Sequence, residues 1–211
     1  MTESMDNEVL TRLLQARYSC RAFLPDLVPD ETIRRLFTLA QRTASWCNTQ
    51  PWLVHLTRGE QTAQFAKELS EHVRNHPEKP DLKPPTAFEG DYRDRRRAAG
   101  FGLYNAVGVA RDDMSGRERQ AMENFRFFGA PHVAVISTPR SLGVYGAVDC
   151  GGYVSTLLTV AQSLGLNTIA QAAIAMYSDF VRRFLDIPED RDVVCAVSFG
   201  YADPTHPANS F

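Results

Sequence analysis

Residues 145–164 read YGAVDCGGYVSTLLTVAQSL, and Asp149 is the one charged side chain among them. A helix that is apolar nearly all round is buried on several sides. This stretch is therefore expected to be either the centre of the core or a surface where subunits meet. Working outward, 132–138 (HVAVIST) and 193–199 (VVCAVSF) are short, β-branched and apolar, and each predicts a buried strand. Tyr177–Leu185 predicts a helix that stops before Ile187-Pro188, because the residue ahead of a proline disfavours helical geometry.

Toward the N-terminus, Asp6–Ala16 places Val9, Leu10, Leu13 and Leu14 on one helical side. A second helix is expected from the cap candidate Asp30 through Ile33, Leu36, Phe37 and Ala40 to about Thr43. Residues 52–57 (WLVHLT) predict a strand closed by Arg58-Gly59, and Gln61–Asn75 a surface helix. Pro77, Pro80, Pro84 and Pro85 make His76–Gly90 a long loop. Tyr92–Ala110 reads as a helical stretch opened by Arg93, Arg95, Arg96 and Arg97, and Gly116–Phe125 as a polar helix. Helices dominate a small sheet, no linker or repeat intervenes, and one α+β domain over 1–211 is expected.

Composition narrows the function. The 211 residues are 44% hydrophobic and 23% charged with a net charge of -2, which fits neither a disordered chain nor a nucleic-acid binder. The N-terminus lacks an apolar leader and no stretch reaches the ~20 apolar residues of a membrane span, so a soluble cytoplasmic protein is expected. Cys20, Cys47, Cys150 and Cys195 form no CxxC pair, and the histidines have no metal-site spacing, which argues against disulfides and metal and leaves the thiols as small apolar filler. Gly100-Phe101-Gly102 with Gly108 lies inside a helical stretch and is no dinucleotide loop. GxSxG and P-loop patterns are missing as well. Asp112, Asp113 and Glu118 read as a solvated helix face.

Two polar stretches remain. Arg17-Tyr18-Ser19-Cys20-Arg21 sets two guanidinium forks and a hydroxyl just past a helix, and alternation in an extended segment points Arg17, Ser19 and Arg21 the same way. Such forks suit a phosphate or an electron-rich ring edge, though an exposed basic helix end would look the same. Ala44-Ser45-Trp46-Cys47-Asn48-Thr49-Gln50-Pro51-Trp52 offers amides, hydroxyls and indoles for a heterocycle, or else a capped turn. Trp52 itself reads as core.

Together these motifs, R-x-S-x-R after the first helix and then S-x-x-N-x-Q-P-W, resemble the FMN-dependent nitroreductase family. The likeness continues through Phe127-Phe128-Gly129-Ala130-Pro131, Asp149-Cys150-Gly151 and Gly165–Ala173 and covers nearly the whole chain. It implies an α+β sandwich in which a small, mainly antiparallel sheet is flanked by helices, with the long helix at a homodimer interface. It also implies that Arg17, Tyr18, Ser19 and Arg21 hold the flavin phosphate and pyrimidine edge. Ser45, Trp46 and Asn48 would reach the same flavin from the other subunit. Asn124, with Arg126, would touch ribityl or ring oxygens, and Ala170, Gln171, Ala172 and Ala173 would run backbone past N5 and O4. Many relatives have proline where Ala170 stands and some have glutamate where Ala172 stands; Gln171-Ala172-Ala173 is similar to the nitrobenzoate-reductase-like branch.

The implied reaction passes two electrons from NADH or NADPH, by a ping-pong sequence, to a small nitroaromatic or quinone, with no catalytic side chain. The same flavin site could serve an activated alkene, a halophenol or free flavin, or belong to a non-catalytic flavin-binding dimer. The family's basic pair and partner-embracing tail are not seen before Phe211, so either the chain continues or Arg17 and Arg21 neutralise the phosphate alone. Phe127 and Phe128 are expected either in the core or, one of them, beside the flavin cleft.

Overall fold

The apolar strands expected at 132–138 and 193–199 pair in the middle of the sheet, where both faces are covered, and this is why they read as unbroken apolar runs. The structure, a computed structural model, describes residues 4–211. Residues 1–3, part of the N-terminal stretch read above for a leader, lie outside the described residues. The elements are α1 (Met5–Ala16), α2 (Asp30–Ala40), β1 (Leu53–Arg58), α3 (Glu60–Asn75), α4 (Gly90–Ala106) and α5 (Met114–Met122), followed by β2 (His132–Pro139), α6 (Gly143–Ser163), β3 (Asn167–Gln171), α7 (Ser178–Leu185) and β4 (Arg191–Gly200). The sheet order is β1-β2-β4-β3 and every neighbouring pair is antiparallel. This is the α+β arrangement expected above.

Helices α2 and α6 cover one face of the sheet, with Leu36, Tyr153, Leu157, Ile136 and Phe199 in contact there. Helices α3 and α7 cover the other, around Phe65, Leu69, Val133, Val181 and Ala196. Gly146 lets α6 seat on β2, because a Cβ at that position would stand 2.4 Å from Thr138 Oγ1.

The far side of α6 is another matter. Val144, Tyr145 and Val148 are exposed, and a Cβ added at Gly151 would meet nothing. Helix α1 packs on α6, yet Met5, Val9, Leu10 and Leu14 remain exposed and no residue of α1 is buried. The core reading of 145–164 therefore holds for one side of α6, while the other side is an uncovered apolar face.

Some expectations need correction. β3 was not foreseen as a strand. The polar helix expected to run to Phe125 stops at Met122 and gives way to a 3₁₀ segment, Glu123–Gly129, in which Phe127 and Phe128 both take left-handed backbone (φ 56° and 54°). Both rings are buried, and Phe127 packs 4.9 Å from Phe65, so the core account holds for the pair. Cys20 and Cys150 are buried as expected of filler, but Cys47 is exposed. The 76–90 loop is irregular as expected and yet anchored, since the Asp81 carboxylate accepts from Arg182 (2.6 Å) and from the Val193 amide (2.8 Å).

His132 makes the fold pH-sensitive. Its Nε2 accepts from the Val28 amide (2.9 Å) and its ring stacks on Phe199 at 5.0 Å, while Nδ1 is buried without a partner among the described residues. Burial first, and the nearby Arg58 cation second, push its pKa down to about 4. An unfolded histidine binds its proton from about pH 6.5 downward. Between those values the unfolded state binds more protons, so stability falls as pH falls through that window, by up to ~3 kcal/mol. Urea unfolding at pH 7.0 and 4.5 should show this loss. It should be smaller in His132→Gln, which keeps an acceptor for Val28 and does not titrate; an equal loss in both proteins would exclude His132 as the source.

Candidate functional site

Helix α1 ends at Arg17, whose extended backbone (φ -72°, ψ 129°) starts a strand-like segment. Ser19 bridges Thr168 of β3 in parallel, Cys20 donates to the Thr168 carbonyl (3.0 Å), and Leu24 donates to that of Tyr201 (2.8 Å). The segment thus leaves the β3 edge and crosses the end of β4. Alternation holds from Ser19 onward, where Cys20 and Ala22 turn inward and are buried while Ser19 and Arg21 are half-buried; it fails at Tyr18, which is exposed beside a half-buried Arg17. Tyr18 stands on the parity of Cys20, and partial burial raises its phenol pKa.

The far end of β3 carries the second group. Gln171 is buried, its Nε2 donates to the Asn124 carbonyl (2.8 Å) and its Oε1 accepts from Ser198 Oγ. That side chain ties the turn at Asn124 to the sheet edge. Ala170 and Ala172 are exposed beside it, and Ala173 opens a 3₁₀ turn. The Asn124 amide curls back to the Ala121 carbonyl (3.1 Å), and Arg126 pairs with Glu123 (3.2 Å). Three of the four stretches singled out in the sequence thus meet along one edge of the sheet.

Arg17 and Arg21 have no acidic partner among the described residues. Arg21 Nη1 donates to its own chain at the Ser19 carbonyl (3.0 Å), and the guanidinium lies 5.0 Å from the Phe211 ring centroid. Burial draws its pKa below the ordinary arginine value. A partly buried guanidinium without a counter-charge, with Arg17 four residues before it on the same extended segment, is a fit for an anionic group such as a phosphate. Asn209, which no sequence motif marked, pins this segment: its Oδ1 accepts from the Arg21 amide (2.7 Å) and its Nδ2 donates to the Ala22 carbonyl (2.9 Å). A contact spanning 188 positions leaves no local signal.

The fourth stretch lies elsewhere. Ser45 Oγ accepts from the Gln50 amide (2.9 Å), Asn48 Oδ1 accepts from Gln50 Nε2 (2.8 Å), and Trp46 is 62% exposed with its ring 4.8 Å from Tyr145. Trp52 is core, stacked on Tyr153 at 4.9 Å and donating to Gln41 (2.9 Å). The loop abuts the start of β4, where Arg191 donates to the Pro51 carbonyl (2.6 Å), whereas Ser19 adjoins Thr168, which pairs with Phe199 near the other end. Eight steps of β4 separate Arg191 from Phe199, about 26 Å at ~3.3 Å per residue. One chain does not bring the loop to the Arg17–Arg21 segment.

No cluster of three metal-ligating side chains and no helix long and apolar enough to cross a membrane occur among the described residues. Comparison with known proteins finds that the family model described as "Nitroreductase family" matches residues 14–201. A protein named Nitroreductase NfnB from Mycolicibacterium smegmatis is 37% identical over 94% of this chain and 85% of its own length. A 4-nitrobenzoate reductase from a Nocardioides species is 32% identical over 96% of this chain and 84% of its own. Among solved structures, the FMN-dependent nitroreductase NfnB from Mycobacterium smegmatis in complex with NADPH superposes with a TM-score of 0.92 at 36% identity, covering 97% of this chain and 92% of that one.

Proposed function

Because the chain belongs to the nitroreductase family, we propose that residues 1–211 form one FMN-binding domain of a homodimeric oxidoreductase that takes electrons from NADH or NADPH and reduces small nitroaromatics or quinones. The relatives named for FMN, NADPH and 4-nitrobenzoate support this reading. The observation that carries it is the pair of uncompensated guanidinium groups on the extended segment beside β3. When bound, FMN supplies the two-electron chemistry, receiving hydride from the nicotinamide and yielding electrons to the acceptor.

The protein's part is binding and orientation. Arg17 and Arg21 neutralise the phosphate and hold the pyrimidine edge, with Ser19 between them and Tyr18 at the margin. Asn124 and Arg126 would reach the ring and ribityl oxygens. Ala170, Gln171, Ala172 and Ala173 offer backbone to N5 and O4; the small side chains at 170 and 172 permit close approach, and the buried Gln171 fixes the turn. A backbone N–H aimed at N5 stabilises electron density that develops there. Ser45, Trp46 and Asn48 come from the partner subunit, and Trp46 gives the cleft an aromatic wall. No side chain acts as a nucleophile. The four free cysteines suit a reducing, cytoplasmic setting.

The uncovered face of α6 supports the dimer. A two-fold axis through that face would set α6 antiparallel to its copy, and the open surface at Gly151 would let the two helices approach closely. This places each Trp46 loop, at the start of α6, against the partner's Arg17–Arg21 segment, beyond the end of α6. The ~26 Å separation within one chain is thereby removed.

Arg17→Ala and Arg21→Ala should each weaken FMN binding by about 1.5–3 kcal/mol, the worth of a charge-assisted hydrogen bond. Equilibrium titration followed by flavin fluorescence measures this, and parental affinity in both variants would overturn the assignment. Val148→Glu puts a charge on the exposed side of α6 and should give a folded monomer depleted of FMN. Light scattering with flavin content tests this, and a monomer that retains full flavin would contradict the shared site.

A further inference from the structure

The backbone of the 45–51 loop is one that its residues disfavour. Cys47, Asn48 and Gln50 have φ of 51°, 55° and 46°, in the left-handed region where a non-glycine residue is strained. Three such residues keep their conformation only if the loop is fixed at both ends. At its start the Trp46 amide donates to both Asp149 carboxylate oxygens (3.2 Å each). At its end the fixing group is Arg191. One nitrogen, Nη2, donates to the Pro51 carbonyl (2.6 Å) and to the Ser137 carbonyl (2.8 Å), while Nε donates to Ser137 Oγ (2.9 Å).

The sheet makes room for this fork. The β2–β4 register shifts between Ile136 and Ser137, so that the Ser137 carbonyl and hydroxyl are both available to the guanidinium. Among the described residues Arg191 joins no ion pair, and its bonds go to neutral oxygens. It therefore works as a rigid bracket, not as an anion ligand. A lysine, with a single ammonium on a flexible stem, reproduces the charge but not the planar fork.

We propose that Arg191 is a positioning residue for the flavin of the partner subunit: by clamping Pro51 to the end of the sheet it holds Ser45, Trp46 and Asn48 in the strained shape that reaches across the dimer. This rests on the shared-site reading above. Arg191 itself touches neither flavin nor substrate.

Arg191→Lys and Arg191→Met should each weaken FMN binding roughly ten- to a hundredfold, and the lysine variant serves should the methionine variant fail to fold. The decisive experiment mixes subunits. An Arg191→Lys chain and an Arg17→Ala chain with different affinity tags are co-expressed, and the heterodimer is purified. If Arg191 acts on the partner's site, both defects fall on one site and the other is intact, so the heterodimer holds half the flavin of the parent at a concentration where neither variant homodimer holds any. Full flavin in the Arg191→Lys homodimer would overturn the proposal, and so would a heterodimer without flavin. An Arg17→Ala with Asn48→Ala heterodimer separates the causes. If it recovers half the flavin and the Arg191 pair does not, only the clamp is wrong; if neither recovers, the shared site fails as well.

Discussion

Helix α6 has a single charged residue, Asp149, among its twenty-one, so a chain that buries only one of its sides leaves apolar surface in water. The sheet takes Gly146, Cys150, Tyr153, Leu157 and Ala161. Val144, Tyr145 and Val148 stay uncovered, and so do Met5, Val9, Leu10 and Leu14 of α1, which packs on α6. Burying a side chain of this size is worth about 1.5–3 kcal/mol, and several together offset the ~4–15 kcal/mol that association costs. In the proposed homodimer, covering α6 is tied to the assembly of the site, because the contact that would cover it would also carry each 45–51 loop to the far end of its partner.

That loop and the Arg17–Arg21 segment solve different physical problems. The segment is extended and regular, pinned by the bridge to Thr168 and by Asn209, and it presents positive charge without a counter-ion. The loop is strained and neutral, fixed by Asp149 at one end and Arg191 at the other, and it presents amides, a hydroxyl and an indole. Charge on one side and shape on the other suit a ligand with a phosphate at one end and a flat heteroaromatic ring at the other. Gln171 links β3 to the turn at Asn124, so the edge of the sheet sets the geometry on that side.

Much of this was legible in the sequence, for identifiable reasons. The central strands and α6 are long apolar runs whose burial dictates their composition, and the alternation from Ser19 to Ala22 follows from extended geometry alone. β3 was not legible: its five residues, NTIAQ, carry no clear period, and it exists because β4 offers it an edge. The break at Phe127 and Phe128 was hidden because neither residue type signals left-handed backbone; packing against Phe65 holds it. Exposure of Cys47 follows from a strained turn that composition does not encode. The proposed partition of the site between two chains came only from family resemblance. Its physical basis, opposite ends of β4, needed the register.

The account stands or falls on whether the bound flavin passes electrons in both directions. Anaerobic addition of NADPH or NADH to the FMN-loaded dimer should bleach the yellow absorbance at about one equivalent per subunit, and 4-nitrobenzoate added afterwards, still without oxygen, should restore it. Flavin that stays oxidised with either nicotinamide, or that bleaches and is not reoxidised by a nitroaromatic or a quinone, would contradict it.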